Sequence, residues 1–212
     1  MSASANSSSL IVVSNRLPFV LKRHEHDNSL YRKPSAGGLV TAVCPVMVQS
    51  GGLWVGWSGM HLTEEDKIPE SDVGDKSPTA GLKSKQIMPI NLEKEEYELY
   101  YNGCCNATFW PLFHSMPDRS VFNEKFWIAY KKVNEKFAEA TLKALRQTLE
   151  DQPGKVPIVW IHDYHLMLAA NTIRQVADEE NLSCKLGFFL HIPFPPWDIV
   201  KIFPCEDTIL QV

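Results

Sequence analysis

Ile158-Val159-Trp160-Ile161-His162-Asp163-Tyr164-His165 and Lys185-Leu186-Gly187-Phe188-Phe189-Leu190-His191-Ile192-Pro193-Phe194-Pro195 are the stretches that decide the fold. Each is an uninterrupted apolar run that stops abruptly at groups able to donate or accept protons. Short apolar runs with β-branched and aromatic content read as strands buried on both faces, the pattern of a parallel sheet covered by helices. In open sheets of that kind, ligands bind in the crevice beyond the carboxyl ends of the strands. His162, Asp163 and His191 therefore stand where such a fold places its chemistry.

The pattern recurs toward the N-terminus. Leu10-Ile11-Val12-Val13 ends in Ser14-Asn15-Arg16, and Gly52-Leu53-Trp54-Val55-Gly56-Trp57 ends in Ser58-Gly59. One polar residue after one strand is ordinarily a cap or a surface group; four such ends point to a shared site. Between them, Leu39 to Val48 reads as a helix opened by Ser35-Ala36-Gly37-Gly38, with a kink expected at Pro45. His24 to Lys33 and Glu64 to Lys85 are charged and aperiodic, and read as loops. Gln86 to Ile90 reads as a short strand, and Asn91 as the N-cap of a helix running through Tyr101. The longest helix is expected over about Val121 to Glu150, where Phe126, Val133, Phe137, Ala140 and Leu145 roughly follow a 3.6-residue period. A strand at 157–161, a helix near 165–180, a strand at 185–190 and a short helix from about 197 complete the chain.

This alternation predicts an α/β, Rossmann-like domain: a mostly parallel sheet flanked by helices. Residues 1–9, small and polar, are expected to form a disordered tail ahead of a single domain at 10–212. Asp207 to Val212 reads as a helix cut in mid-course, so the domain is expected to be part of a larger enzyme.

At 212 residues the chain can bury a substantial core, and 44% hydrophobic with 22% charged residues is ordinary for a globular protein. A formal net charge of -4 argues against a general nucleic-acid or anionic-membrane surface. Met1 to Ser9 lacks the apolar core of a signal peptide, and no stretch reaches the roughly 18 apolar residues of a membrane span. Cys44, Cys104, Cys105, Cys184 and Cys205 are odd in number without a paired CxxC, which fits reduced thiols in the cytoplasm.

Arg16 presents a fixed fork of donors suited to a phosphate or a carboxylate, although a structural salt bridge is an equally ordinary use. Gly37 and Gly38 at a helix start would let backbone N–H groups approach a phosphate. The dinucleotide fingerprint and the P-loop are both absent, which disfavours a nicotinamide cofactor. Tyr101 and Trp110 suit a site that stacks on a sugar and donates to an oxygen, though single aromatics are more often core. Trp54 reads as core, and Trp57 as core or site. His162 and His165 raise a metal site, disfavoured because no second carboxylate lies near them. A serine hydrolase lacks its G-x-S-x-G elbow. What remains is a polyhydroxyl substrate held by Asp163 and His191, with anionic groups held by Arg16 and the glycines.

The motifs Ser14-Asn15-Arg16, Ser35-Ala36-Gly37-Gly38-Leu39, Gly51 to Gly59, Trp160 to Leu166 and Gly187 to Pro195, in this order, resemble the N-terminal half of the trehalose-phosphate synthases. That family consists of retaining glycosyltransferases that use UDP-glucose and glucose 6-phosphate. The resemblance implies two Rossmann-like domains facing across a cleft, no cofactor and no metal. It assigns Arg16, Tyr101 and Trp110 to the phosphate of glucose 6-phosphate, Gly37 and Gly38 to the donor UDP-glucose, and Asp163 and His191 to the sugars near the reacting centre. The nucleotide-binding domain of the family is not among these residues, so the isolated chain is expected to be inactive as a synthase. The rival reading is a truncated, non-catalytic module that binds sugar phosphate, forms a homo-oligomer or associates with a full-length synthase. A different two-domain glycosyltransferase would lack the Arg16 and Trp110 set.

Overall fold

The computed structural model describes residues 9–35, 37–72 and 74–209. The central sheet is five-stranded and wholly parallel. It comprises β1 (Leu10–Arg16), β4 (Leu53–Trp57), β5 (Ile87–Ile90), β6 (Ile158–His162) and β7 (Lys185–Phe189), in the order β5-β4-β1-β6-β7. The apolar runs form these strands because side chains on both faces are buried. Ile11, Val13, Val55, Val159 and Ile161 point into one core, whereas Val12 and Trp54 point into the other.

The first core is closed by α4 (Glu124–Asp151), α5 (Ala169–Glu179) and a long helical segment. That segment comprises α2 (Lys94–Tyr97), a π-helical stretch over Glu98–Phe109 and α3 (Trp110–Phe113). The second core is closed by α1 (Gly38–Ser50), through Val40, Val43 and Met47, and by an antiparallel hairpin, β2 (Phe19–Arg23) with β3 (Leu30–Pro34). The chain ends in α6 (Trp197–Val200) and α7 (Glu206–Ile209).

Several expectations are corrected. His24 to Lys33, read as a loop, contains most of β3: its partner strand β2 buries Phe19 and Leu21, and Arg32 folds its guanidinium over the Phe19 ring and donates to Leu82 O at 2.6 Å. Ser9 does not belong to a tail, because it is buried and its carbonyl accepts from Ile158 N at 2.8 Å; residues 1–8 lie outside the described residues. Asn91 does not cap a helix. Its amide bridges the Leu62 backbone, accepting at 2.9 Å and donating at 2.7 Å, and the helix begins at Lys94. The longest helix begins three residues later than read, with Asn123 as its cap accepting from Lys125 N at 2.9 Å. Pro45 sits on the exposed side of α1, where water can take the carbonyl that it frees, and the helix runs through it. The α7 helix covers part of the expected 207–212 helix, whose last three residues lie outside the described residues.

Candidate active site

The strand order reverses at β1. The chain proceeds from β1 outward to β4 and β5, then returns to the other side of β1 with β6 and β7. A crevice opens at such a switch point because the connections on either side leave in opposite directions. Here it is a cavity of about 570 Å³ lined by Arg16, Gly37, Gly38, Tyr101, Asp163 and His191, among others. The fold thus brings together every predicted site residue except Trp110. That residue is 44% exposed, stacked on His114 with centroids 4.1 Å apart, and absent from the cavity lining.

Arg16 is aimed by a bulge. The pairing of β1 with β4 shifts register between Val13 and Arg16, which turns the end of the strand. Gly56 makes room for the bulge, since a Cβ there would lie 2.8 Å from Leu17 N. Ser14 fixes the turn by donating to Arg16 O at 2.7 Å, and buried Trp54 Nε1 donates to Ser14 Oγ at 2.8 Å. The guanidinium donates to Tyr97 Oη at 2.6 Å and lies over the rings of Trp57 and Tyr101, at 5.6 and 5.2 Å. Among the described residues no carboxylate pairs with it. The structural salt bridge is therefore not its use here. An arginine held on an aromatic wall keeps its charge and most of its donors for a ligand.

That wall crosses the face of the helical segment formed by α2 and the π-helical stretch. Trp57, Tyr97, Tyr101 and His165 stack in sequence, with centroids 4.2, 5.0 and 5.7 Å apart. Tyr97 and Tyr101, four residues apart, share one face of that segment as they would on any helix, whereas the widened π-helical turn keeps Tyr100, Cys104, Cys105 and Phe109 together on the core face. Gly103 allows this helix to lie against α4, because a Cβ there would strike the Phe126 ring at 2.6 Å.

Asp163 follows β6 with φ 75° and ψ 165°, a conformation that costs a non-glycine residue roughly 1–3 kcal/mol. Three polar residues of the first core hold the turn in place. Tyr130 donates to Tyr164 O at 2.7 Å and accepts from Met167 N at 3.1 Å. Asn134 donates to His165 O and accepts from Leu168 N and Ala169 N, all at 3.1 Å. Tyr100 donates to Asn15 Oδ1 at 3.0 Å and to His165 O at 3.3 Å. Tyr97, Tyr100, Tyr130 and Asn134 were missed in the sequence, although a fully buried Asn on the apolar face of a long amphipathic helix is a legible signal.

The Asp163 carboxylate accepts from Tyr164 N at 3.0 Å and His191 N at 3.3 Å, with His165 Nδ1 at 3.5 Å. Burial pushes its pKa upward, but the His165 contact and the two backbone donors outweigh that and hold it below the usual carboxylate range. His162, 1% exposed, has its pKa pushed down to about 4, chiefly by burial and then by His191, with Asp163 opposing. Its Nδ1 lies 3.1 Å from His191 Nε2, while its own Nε2 has no hydrogen-bond partner. Among the described residues, no cluster of three or more His, Cys, Asp or Glu side chains could hold a metal ion.

On the other wall, α1 starts at Gly38. Thr41 N makes its helical bond to Gly37 O at 3.0 Å, so the amides of Gly38, Leu39 and Val40 have no partner within the helix. Gly37 is extended, at φ 165°, and a Cβ on either glycine would meet nothing within 4 Å. Neither backbone conformation nor packing calls for glycine there; a side chain would simply intrude on the cavity. The arrangement joins a fixed cation, a helix N-terminus and an ionised carboxylate around one crevice, which suits a substrate with phosphates and hydroxyls.

Known proteins carry the same frame. The chain is 37% identical over 204 residues to the 56 kDa subunit of α,α-trehalose-phosphate synthase (UDP-forming) from Kluyveromyces lactis, covering 96% of this chain and 39% of that protein. It superposes on the trehalose-phosphate synthase structure from Burkholderia xenovorans in complex with glucose 6-phosphate (TM-score 0.67, 30% identity, 96% of this chain and 38% of that one). It also superposes on an E. coli structure bound with UDP-2-fluoro glucose (TM-score 0.66, 32% identity, 96% and 37%). The chain thus spans less than half the length of the relatives it matches. The sequence model of glycosyltransferase family 20 matches residues 8–212, nearly the whole chain. With its parallel sheet and its switch-point cavity, this chain belongs to glycosyltransferase family 20.

Proposed function

We propose that this chain supplies the acceptor-binding half of a retaining glucosyl transfer, in which glucose passes from UDP-glucose to glucose 6-phosphate to give trehalose 6-phosphate. The observation that carries this reading is Arg16: a cation on an aromatic wall, without a carboxylate partner among the described residues, across one cavity from an ionised Asp163. Arg16 grips the acceptor phosphate beside Tyr101, and Trp110 belongs to this set only if it turns toward the cleft when the acceptor binds. The free amides at the start of α1 approach the donor phosphates, with Gly37 and Gly38 keeping that approach open. Asp163 and His191 hold sugar hydroxyls near the reacting centre. The bond from the glucosyl C1 to the donor phosphate breaks, a bond to the acceptor oxygen forms on the same face, and a donor phosphate oxygen takes the acceptor proton. The protein's part is orientation and charge stabilisation, and the reading calls for no cofactor.

A facing nucleotide-binding domain completes the cleft in this reading, so the chain alone turns over little or not at all. Five free cysteines support a reducing compartment, the cytoplasm, and among the described residues no helix is long and apolar enough to cross a membrane. The rival reading is a non-catalytic module that holds sugar phosphate in the same cavity, by itself, as a homo-oligomer or on a full-length synthase.

Calorimetric titration of the chain with glucose 6-phosphate, followed by a UDP-release assay in the same sample, tests both halves. Binding without UDP release is expected. Folded protein that ignores glucose 6-phosphate would sink the acceptor assignment, and UDP release at the rate of a full-length synthase would remove the need for a second domain. The glycines have their own test. Gly38→Ala is expected to leave stability unchanged or raise it by up to about 1 kcal/mol, because helix φ/ψ suits alanine. It should also abolish the shift in melting temperature produced by millimolar UDP-glucose. An unaltered shift would show that the donor does not approach this backbone.

A further inference from the structure

The buried imidazole of His162 takes no part in the transfer just described, yet it lies against His191 with one nitrogen facing another. Two nitrogens at 3.1 Å share one proton, so one ring donates and the other accepts. Which one donates is decided at the far side of His162. Its Nε2 is buried and has no hydrogen-bond partner. A proton there would be an orphaned buried N–H, the rarer and costlier case; a proton on Nδ1 leaves only a bare acceptor at Nε2. The ring cannot escape this choice by turning, since it is 1% exposed and sits between Trp160 and Phe189, with ring centroids at 4.5 and 6.3 Å. Nor does the doubly protonated ring resolve it, because burial disfavours that form.

We infer that His162 is a positioning residue: it donates from Nδ1 to His191 Nε2 and thereby fixes His191 as the Nδ1–H tautomer, turning a hydrogen-bond donor toward the cavity. Free neutral histidine prefers the opposite tautomer. Among the described residues His191 Nδ1 makes no hydrogen bond, and the ring lines the cavity beside Asp163. The pair then offers complementary groups to a polyhydroxyl ligand. Asp163 accepts and His191 donates, so a hydroxyl between them is oriented in one sense only. That the ligand is a sugar rests on the function proposed above; the tautomer does not.

The test is nitrogen NMR of the ¹⁵N-histidine-labelled chain at neutral pH without ligand, so that it reads the tautomer alone. The expected spectrum shows His191 protonated at Nδ1, with a ¹⁵N–¹⁵N coupling to His162 Nδ1 carried through the shared hydrogen bond. His162→Phe, which removes the donor, should return His191 to the Nε2–H form. His162→Asn, whose amide nitrogen takes the place of Nδ1, should restore the Nδ1–H form. His191 protonated at Nε2 in the unaltered chain overturns the inference, as does a His191 tautomer indifferent to His162→Phe. Should that variant fail to fold by circular dichroism, the tautomer and the coupling in the unaltered chain decide the matter. Titration with glucose 6-phosphate is read separately: loss of binding with the tautomer intact counts against the proposed function and leaves this inference standing.

Discussion

Arg16→Ala is expected to weaken glucose 6-phosphate binding about a hundredfold while leaving the fold intact. A guanidinium on a phosphate makes charge-assisted hydrogen bonds worth about 1.5–3 kcal/mol each, and losing the pair at about 3 kcal/mol corresponds to roughly two orders of magnitude in Kd. The fold should survive because Arg16 is exposed and, among the described residues, its side chain hydrogen-bonds only to Tyr97; a change within about 1 kcal/mol is expected. Arg16→Lys keeps the charge but not the planar fork, nor the same grip on the aromatic wall, and should recover only part of the affinity. Calorimetry on the three proteins, with urea unfolding as the control for folding, provides the comparison. If Arg16→Ala binds glucose 6-phosphate within threefold of the unaltered chain, the phosphate lies elsewhere and the acceptor assignment fails.

Acid should destabilise the fold through His162 before it reaches the carboxylates. The unfolded chain takes up a proton on this residue near 6.5, whereas in the folded state burial delays uptake to about 4. Below the unfolded pKa the unfolded state binds more protons, so stability declines as pH falls through that window and levels off beneath it. At about 1.4 kcal/mol per pH unit the loss amounts to about 3 kcal/mol. Asp163 is displaced in the same downward direction, but from the carboxylate range: its contribution is present above that range and is lost below it. Glu96 behaves in the same way. Burial pushes its pKa upward, but Lys132 and Lys136 outweigh that and hold it at about 2, so its contribution also persists until lower pH. Between pH 7 and pH 4.5 the decline should therefore belong mainly to His162. Urea midpoints at those two values should differ by about 2–3 kcal/mol in the unaltered chain and by much less in His162→Phe. An equal decline in both would mean that the buried ring is not the group that titrates.

The strands were legible because both of their signals are local. Val12 and Trp54 alternate with Val13 and Val55 between two cores, and a run apolar at every position is what that requires. The polar tips were legible for the same reason, and the parallel order then carries Arg16, Asp163 and His191 to one edge. The hairpin was not legible as a whole. Its second strand, Leu30-Tyr31-Arg32-Lys33-Pro34, is mostly half-buried or exposed and draws its regularity from cross-strand partners. Trp110, assigned to the site only through the resemblance, stands in this structure on His114, outside the cavity that Tyr101 lines.

By itself, then, the sequence determined the sheet, the strand ends and the residue types at the site, since hydropathy period and abrupt polarity are properties of neighbouring residues. Tertiary structure alone decided which of those residues work together. The aromatic wall behind Arg16 needs Trp57, Tyr97, Tyr101 and His165 brought together from a strand, a helical segment and a turn, and that segment's close approach to α4 depends on Gly103 lying against Phe126. The strained Asp163 needs Tyr130 and Asn134 from a helix packed on the turn, and the His162–His191 contact needs two adjacent strands in register. Each of these joins residues distant along the chain. Their energies come from contacts that exist only once the core has closed, and no local pattern can record them.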